Sequence, residues 1–301
     1  MLFAKRGLDY LEKQNVQVIV KNFYETKSIW GLLKEVRSVK NLAKDRSVDI
    51  IHAQFGSTTA MVALLTGLPF VVTFRGTDVN GDPASSSLMN FIRKGMGILA
   101  MHFSRGIITV SPQLKSKLGP KGAGITVIPS GTKTELFRPL EKSEACTKLG
   151  LNKDLNYIAF ASGGRRKVKR YDLALKVREL LRERGCKVEI LEIWNIPHDL
   201  VPWMINAAEV TILTSEREGS PNIVRESLAC GVPVVSFNVG DAASWINQDP
   251  SSALVIDVQE MADKVEKILC NPPQRQRRID VEQYSETNSA ERLLSFYKSI
   301  H

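Results

Sequence analysis

Thr214 to Val239, TSEREGSPNIVRESLACGVPVVSFNV, constrains the fold more than any other stretch of the 301 residues. It reads as loop, helix, turn and buried strand. Ser220 suits the N-cap and Pro221 the first helical position, where a missing N–H costs nothing. The helix runs through Glu226 until Gly231 stops it, and VPVVSF follows as the strand. Such a helix start leaves the amides of Asn222, Ile223 and Val224 free, and Gly219 lets a ligand approach the backbone closely, which together make an anion site. Glu218 and Glu226 flank it with seven residues between them. Carboxylates repel free phosphate but accept hydrogen bonds from sugar hydroxyls, so the combination points to a ligand that carries both, a nucleotide-sugar.

The rest of the chain alternates strand and helix signals. Leu2 to Gln14 reads as a helix and Val16 to Val20, VQVIV, as a strand. Ile29, Leu32, Leu33, Val36, Val39, Leu42 and Ala43 fall at helical spacing, with Lys34, Arg37, Lys40 and Lys44 on the other faces. Strand signals follow at 48–53, 69–74, 106–110 and 125–128. Alternating βα units imply a parallel sheet. In the second half, a strand at 157–161 enters the loop Gly163-Gly164-Arg165-Arg166-Lys167-Val168-Lys169-Arg170, whose cations suit phosphate, and a helix from Tyr171 ends at Gly185. No G-x-G-x-x-G is present, which argues against a dinucleotide fold.

Composition sets the outer limits. An ordinary apolar fraction of 43% and charged fraction of 24% describe a globular chain of about two domains. No stretch approaches the roughly 18 apolar residues of a membrane span, and the expected location is the cytoplasm. Cys146, Cys186, Cys230 and Cys270 lie far apart with no C-x-x-C pair and read as free buried thiols; the four histidines show no metal-ligand spacing. Residues 1–139 hold 19 Lys and Arg against 9 Asp and Glu, a net of +10, while the remainder holds 22 against 23, a net of −1. A basic first half can meet an anionic membrane surface or a phosphorylated acceptor; without an aromatic-interleaved basic run, nucleic acid ranks below both.

The stretch EGSPNIVRESLACGVPVVS, with Glu218-x7-Glu226, resembles the donor-binding signature of retaining GT-B glycosyltransferases of glycosyltransferase family 4. The resemblance implies two Rossmann-like α/β domains facing a cleft: an acceptor domain over 1–139, a nucleotide-sugar donor domain over 140–283, and a terminal helix, 284–301, crossing back to the first. It implies that Lys169 and Arg165 bind the donor diphosphate beside Gly163 and Gly164. Glu218 would hold the donor sugar and Glu226 the ribose hydroxyls, with the base seated along Trp194 to His198, at Ile196. TFRGTDVNG, Thr73 to Gly81, is similar to a segment in which His often stands in place of Arg75. Arginine cannot act as a general base but can clamp a phosphate or sugar oxygen, with Asp78 orienting it, orienting an acceptor hydroxyl, or capping the turn. Ser111 is an N-cap on the acceptor side, and Gly131 keeps a tight turn there. Members of this family usually open with a strand and a Gly-Gly loop ahead of the first helix; both are missing here, and the first domain is expected to be truncated, with neighbouring strands lacking a partner.

The implied reaction is transfer of a sugar from a nucleotide-sugar to a hydroxyl of a polysaccharide or lipid-linked glycan intermediate, as in lipopolysaccharide synthesis. It would run with retention and without a metal or other cofactor, at the inner face of the membrane. Two alternatives stand beside it. One is an impaired relative that binds a nucleotide-sugar or a partner without turnover, and the other is a different GT-B enzyme such as a phosphorylase or sugar-nucleotide epimerase.

Overall fold

The computed structural model describes residues 8–22, 28–81, 85–119, 124–277, 279–280 and 282–300. They form two compact units, Met1–Gly131 with Glu286–His301, and Thr132–Ser285. Each is built on a parallel sheet. In the first unit β1 (Ile51–Ala53), β2 (Phe70–Phe74), β3 (Gly106–Thr109) and β4 (Ile125–Val127) lie in sequence order. In the second, β5 (Asn156–Phe160), β6 (Val188–Glu192), β7 (Val210–Leu213), β8 (Val234–Phe237) and β9 (Ala253–Val255) take the order β6-β5-β7-β8-β9.

Strands with helices on both sides must be apolar on both faces. β2, FVVTF, is buried at every position. In β5, Tyr157 and Ala159 pack into one core, and Ile158 and Phe160 into another. The first unit divides the same way. Ala53, Val72 and Phe74 meet the helices Thr58–Leu65 and Ser87–Phe103, whereas Val71 and Ile108 meet Phe296 of the terminal helix Glu286–Ser299.

The helix predicted around residues 29–43 spans Ile29–Asp45, with the Ser28 hydroxyl accepting from the Gly31 amide at 3.1 Å. The predicted strand Val16–Val20 is not one. It carries no regular structure, and among the described residues none of its amides joins a ladder, because no strand lies beside it. The helix read over 2–14 spans Leu8–Lys13; its first residues fall outside the described ones.

The second unit begins at Thr132, before Pro139. Thr132 bridges Ser285, Phe137 is fully buried in this unit's core, and Asn206 donates to Arg138 O at 3.0 Å. Gly131 sits at a close approach rather than a turn demanding special backbone angles, since a Cβ there would lie 2.5 Å from Glu286 Cα. Of the thiols, Cys146 and Cys230 are buried as expected, but Cys186 is half-buried and Cys270, the last residue of its helix, is exposed.

His52 in β1 lies between the Tyr297 hydroxyl at 2.5 Å and Thr73 Oγ1 at 2.7 Å. Burial, with a smaller push from Arg75, lowers its pKa to about 3. The unfolded imidazole titrates near 6.5, so as pH falls from about 6.5 toward 3 the unfolded chain binds a proton that the folded chain refuses. The stability held by the neutral ring is complete above pH 6.5 and is lost through that window, by at most about 1.4 kcal/mol per pH unit. Urea melts at pH 7 and pH 5 should show that loss in the native chain and a shallower one in His52→Gln.

Candidate functional site

The order β6-β5-β7 reverses direction between β5 and β7, and ligands of open parallel sheets bind beyond strand ends at such a switch point. The loops leaving β5 and β7 are 161–170 and 214–221, and they are joined. Thr214 Oγ1 donates to Lys169 O at 2.9 Å and Arg170 O at 3.0 Å, and Glu216 N donates to Val168 O at 3.0 Å. The Lys169 ammonium meets Glu218 Oε1 at 2.7 Å, where Ser215 Oγ also donates at 2.7 Å. Two residues 49 positions apart in sequence thus form one half-buried ion pair at the head of the site.

Gly163 and Gly164 both have positive φ, at 56° and 76°, so the turn before this pair requires backbone that side-chain-bearing residues rarely adopt. The turn is also tight. A Cβ on Gly164 would lie 2.8 Å from the Trp194 ring, and one on Gly163 would lie 3.1 Å from Arg166 Nε and 3.5 Å from Lys169 Cε. The Trp194 ring, on a residue 55% exposed, therefore packs against the glycine turn. Ile196, the predicted base contact, packs instead against the core.

Arg165 does not stand with Lys169 as predicted. Its guanidinium is held by Glu192 at 2.9 Å and lies over the Tyr171 ring at 4.6 Å. Arg166 is the arginine beside Gly163, and among the described residues no carboxylate pairs with it, whereas Arg165, Lys169 and Arg170 are each paired. Five cations in one loop cannot be ranked by spacing; their partners do that.

The anion-binding helix spans Asn222–Ala229 and differs from expectation in its first turn. Pro221, not Ser220, is the N-cap residue, and the Val224 amide is taken by Pro221 O at 3.1 Å. Among the described residues nothing accepts the amides of Asn222 and Ile223 at the helix start. The Ser220 hydroxyl is used elsewhere: it donates to Asp241 Oδ2 at 2.8 Å and accepts from Arg225 Nη1 at 2.6 Å. Arg225 also bonds Asn222 Oδ1 at 2.6 Å, lies over Trp245 at 5.1 Å, and is 1% exposed. Burial pushes the Asp241 carboxyl above its ordinary range against the pull of Arg225 and Ser220. This buried group pins the loop from Glu218 to Pro221 onto the turn at Gly240, where a Cβ would meet Gly219 O at 3.1 Å. Glu226, in the next turn of the helix, is buried to 6% exposure. Sequence reasoning missed Arg225; the only signal was a charged residue on an otherwise apolar helix face.

In the first unit, Asp78 is a structural tie and does not orient the Arg75 guanidinium. Its carboxylate accepts from the amides of Gly56 at 2.9 Å, Gly76 at 2.8 Å and Arg75 at 3.1 Å, joining two loops. The Arg75 fork bonds the Gln54 side chain, Gln54 O at 3.2 Å and Ser130 Oγ at 3.0 Å. Ser111 caps its helix as expected, accepting from Leu114 N at 3.3 Å.

Arg225 Nη1 lies 3.9 Å from Asp241 Oδ2 with both side chains buried, and removing one partner of such a pair leaves the other charge uncompensated, at a cost of about 3–5 kcal/mol. Asp241→Ala should destabilise the chain by that amount in urea unfolding, and Arg225→Met with Asp241→Leu by clearly less.

Residues 144–283 match the family profile described as Glycosyl transferases group 1, and residues 2–136 match Glycosyltransferase Family 4. A teichuronic acid biosynthesis glycosyltransferase of Bacillus subtilis, TuaC, is 26% identical over 226 residues, covering 67% of this chain and 56% of its own length. The chain spans about half the length, or less, of the curated relatives it matches. Among solved structures, sucrose-phosphate synthase from Thermosynechococcus elongatus superposes with a TM-score of 0.76 at 19% identity, over 95% of this chain and 82% of that one. HepE of Anabaena, in complex with UDP and glucose, does so with a TM-score of 0.72 at 16% identity, over 97% and 89%. Two parallel-sheet units, with a glycosyltransferase family profile matched over each half of the chain and structures of like architecture among the neighbours, give this chain the GT-B fold.

Proposed function

We propose that the chain transfers a sugar, with retention at the anomeric carbon, from a nucleotide-sugar to a hydroxyl of a polysaccharide or lipid-linked glycan intermediate. The observation that carries this reading is the assembly, at the switch point of one sheet, of a glycine turn, the Lys169–Glu218 pair and the amides of Asn222 and Ile223. Lys169, those amides and Arg166 stabilise the charge that grows on the departing diphosphate, the term that commonly dominates such catalysis. Arg166 takes the place first given to Arg165, because Arg165 is bound to Glu192. Glu218 accepts from the hydroxyls of the donor sugar, Glu226 from the ribose, and Trp194 offers a face to the base. The reading requires no metal. An acidic cell-surface glycan suits the likeness to a teichuronic acid enzyme, and HepE binding UDP makes a uridine donor the first to try.

A membrane surface fits a specific feature of the first unit. On the helix Ser87–Phe103, Leu88, Phe91, Ile98 and Phe103 are 69, 75, 50 and 59% exposed and recur at helical spacing on one face. An outward apolar face on a half-chain of net charge +10 is the pattern of a helix lying in an anionic interface. This feature supports the reading that the acceptor side works at the inner face of the membrane.

Thermal unfolding against UDP, GDP, ADP and their sugar conjugates tests the donor site. One nucleotide at a hundred times its dissociation constant should stabilise by about 2.7 kcal/mol, an effect lost in Lys169→Ala and Glu226→Ala, weakened in Arg166→Ala and kept in Arg165→Ala. No shift with any nucleotide would sink the reading, and binding without transfer would leave a nucleotide-sugar binding protein. Sedimentation with vesicles should show binding to phosphatidylglycerol that falls at least tenfold in Phe91→Glu with Phe103→Glu; equal binding by both chains removes the helix from the membrane.

A further inference from the structure

β7 runs out into Thr214 and Ser215, both fully buried. Successive side chains of extended backbone point to opposite sides, and here the two hydroxyls reach different loops. Thr214 Oγ1 donates to Lys169 O at 2.9 Å and Arg170 O at 3.0 Å, in the loop that leaves β5. Ser215 Oγ stays within its own loop and donates to Glu218 Oε1 at 2.7 Å. A buried hydroxyl needs a hydrogen-bond partner, and both of these take theirs from the Lys169–Glu218 pair or the residue beside it.

The Thr214 contact depends on an uncommon backbone. Arg170 stands at φ 50° and ψ 53°, in the left-handed region that side-chain-bearing residues avoid, directly after the tight turn Lys167–Lys169. Two successive carbonyls come onto one hydroxyl there. The start of the helix Tyr171–Glu183 is fixed in this way, and the Lys169 backbone is held while its ammonium reaches Glu218.

The Ser215 contact meets a different need. A glutamate on a loop has three side-chain torsions, and the lysine that pairs with it is itself long and flexible. Lys169 Nζ and Ser215 Oγ converge on the same carboxylate oxygen, each at 2.7 Å. A diphosphate at Lys169 competes with that carboxylate for the ammonium, but the fully buried serine hydroxyl stays with Glu218.

We propose, resting on the donor reading above, that Thr214 and Ser215 are positioning residues that divide the recognition of a nucleotide-sugar between them. Thr214 sets Lys169 for the diphosphate. Ser215 sets Glu218 for a hydroxyl of the sugar. Loss of the Ser215 hydroxyl therefore weakens the hold on the sugar alone, whereas loss of the Thr214 hydroxyl weakens the hold on every ligand that carries the diphosphate.

Titration calorimetry of the full chain tests this with UDP and UDP-glucose, GDP and GDP-mannose, and ADP and ADP-glucose, using whichever pair binds the native chain. Ser215→Ala should weaken the nucleotide-sugar about tenfold, the loss of one hydrogen bond to a charged group, and leave the nucleoside diphosphate unchanged. Thr214→Val, which keeps the shape without the hydroxyl, should weaken both ligands by the same factor. Ser215→Thr and Thr214→Ser should restore native binding. On a Glu218→Ala background Ser215→Ala should have no further effect, a coupling that general loosening of the loop does not produce. Equal weakening of both ligands by Ser215→Ala, no weakening, or full additivity with Glu218→Ala overturns the proposal, as does a Thr214→Val chain that binds the nucleoside diphosphate like the native one. Those outcomes leave the donor reading standing; absence of binding by every pair removes that reading and this one with it. Should Ser215→Ala fail to fold, Ser215→Cys, similar in shape and a weak donor, replaces it with the same expected split.

Discussion

Parallel pairing is the constraint on which the rest depends. A parallel strand cannot return by a tight turn, so each connection must cross a face of the sheet, and both faces end up covered by helices. That is why the strands are apolar throughout and why each unit holds two cores. It also sends every strand-to-helix loop to the same edge. Where the order reverses, between β5 and β7, two such loops come together at the place where open parallel sheets bind their ligands. The cation of one loop and the carboxylate of the other meet there because of topology, not because of sequence proximity.

Rigidity at this place comes from a charge network with little access to water. Arg225, Asp241, Ser220 and Asn222 hold the start of the Asn222–Ala229 helix against the Gly240 turn. Burying two charges is costly, and replacing such a pair by apolar groups is often neutral or stabilising. Its value here is positional. Free amides bind an anion only if they are aimed at it beforehand, and donors fixed in advance cost no reorganisation when charge develops.

The first unit shows the same rules in a four-stranded sheet. Its buried strands pair in register like those of the second unit, yet among the described residues Val16–Val20 joins no ladder. A strand is defined by its neighbour. An apolar, β-branched run has the propensity, but its hydrogen bonds exist only when another backbone lies about 4.8 Å away.

What sequence alone determined was whatever rests on local chemistry. Apolar runs bounded by turn residues marked β2, β3 and β8; the spacing of Ile29 to Ala43 marked a helix; Ser111 was legible as a cap; and Glu218, Gly219 and Glu226 marked one end of the site. Tertiary structure alone decided which partner each polar group takes. It gave Arg165 to Glu192 and left Arg166 beside Gly163, moved Ser220 from a cap to Asp241, made Asp78 a tie between loops, and set Trp194 against the glycine turn. Charge and hydrogen bonding act over a few ångströms through space, and residues as far apart as His52 and Tyr297, 245 positions, come within that range only once the chain has folded.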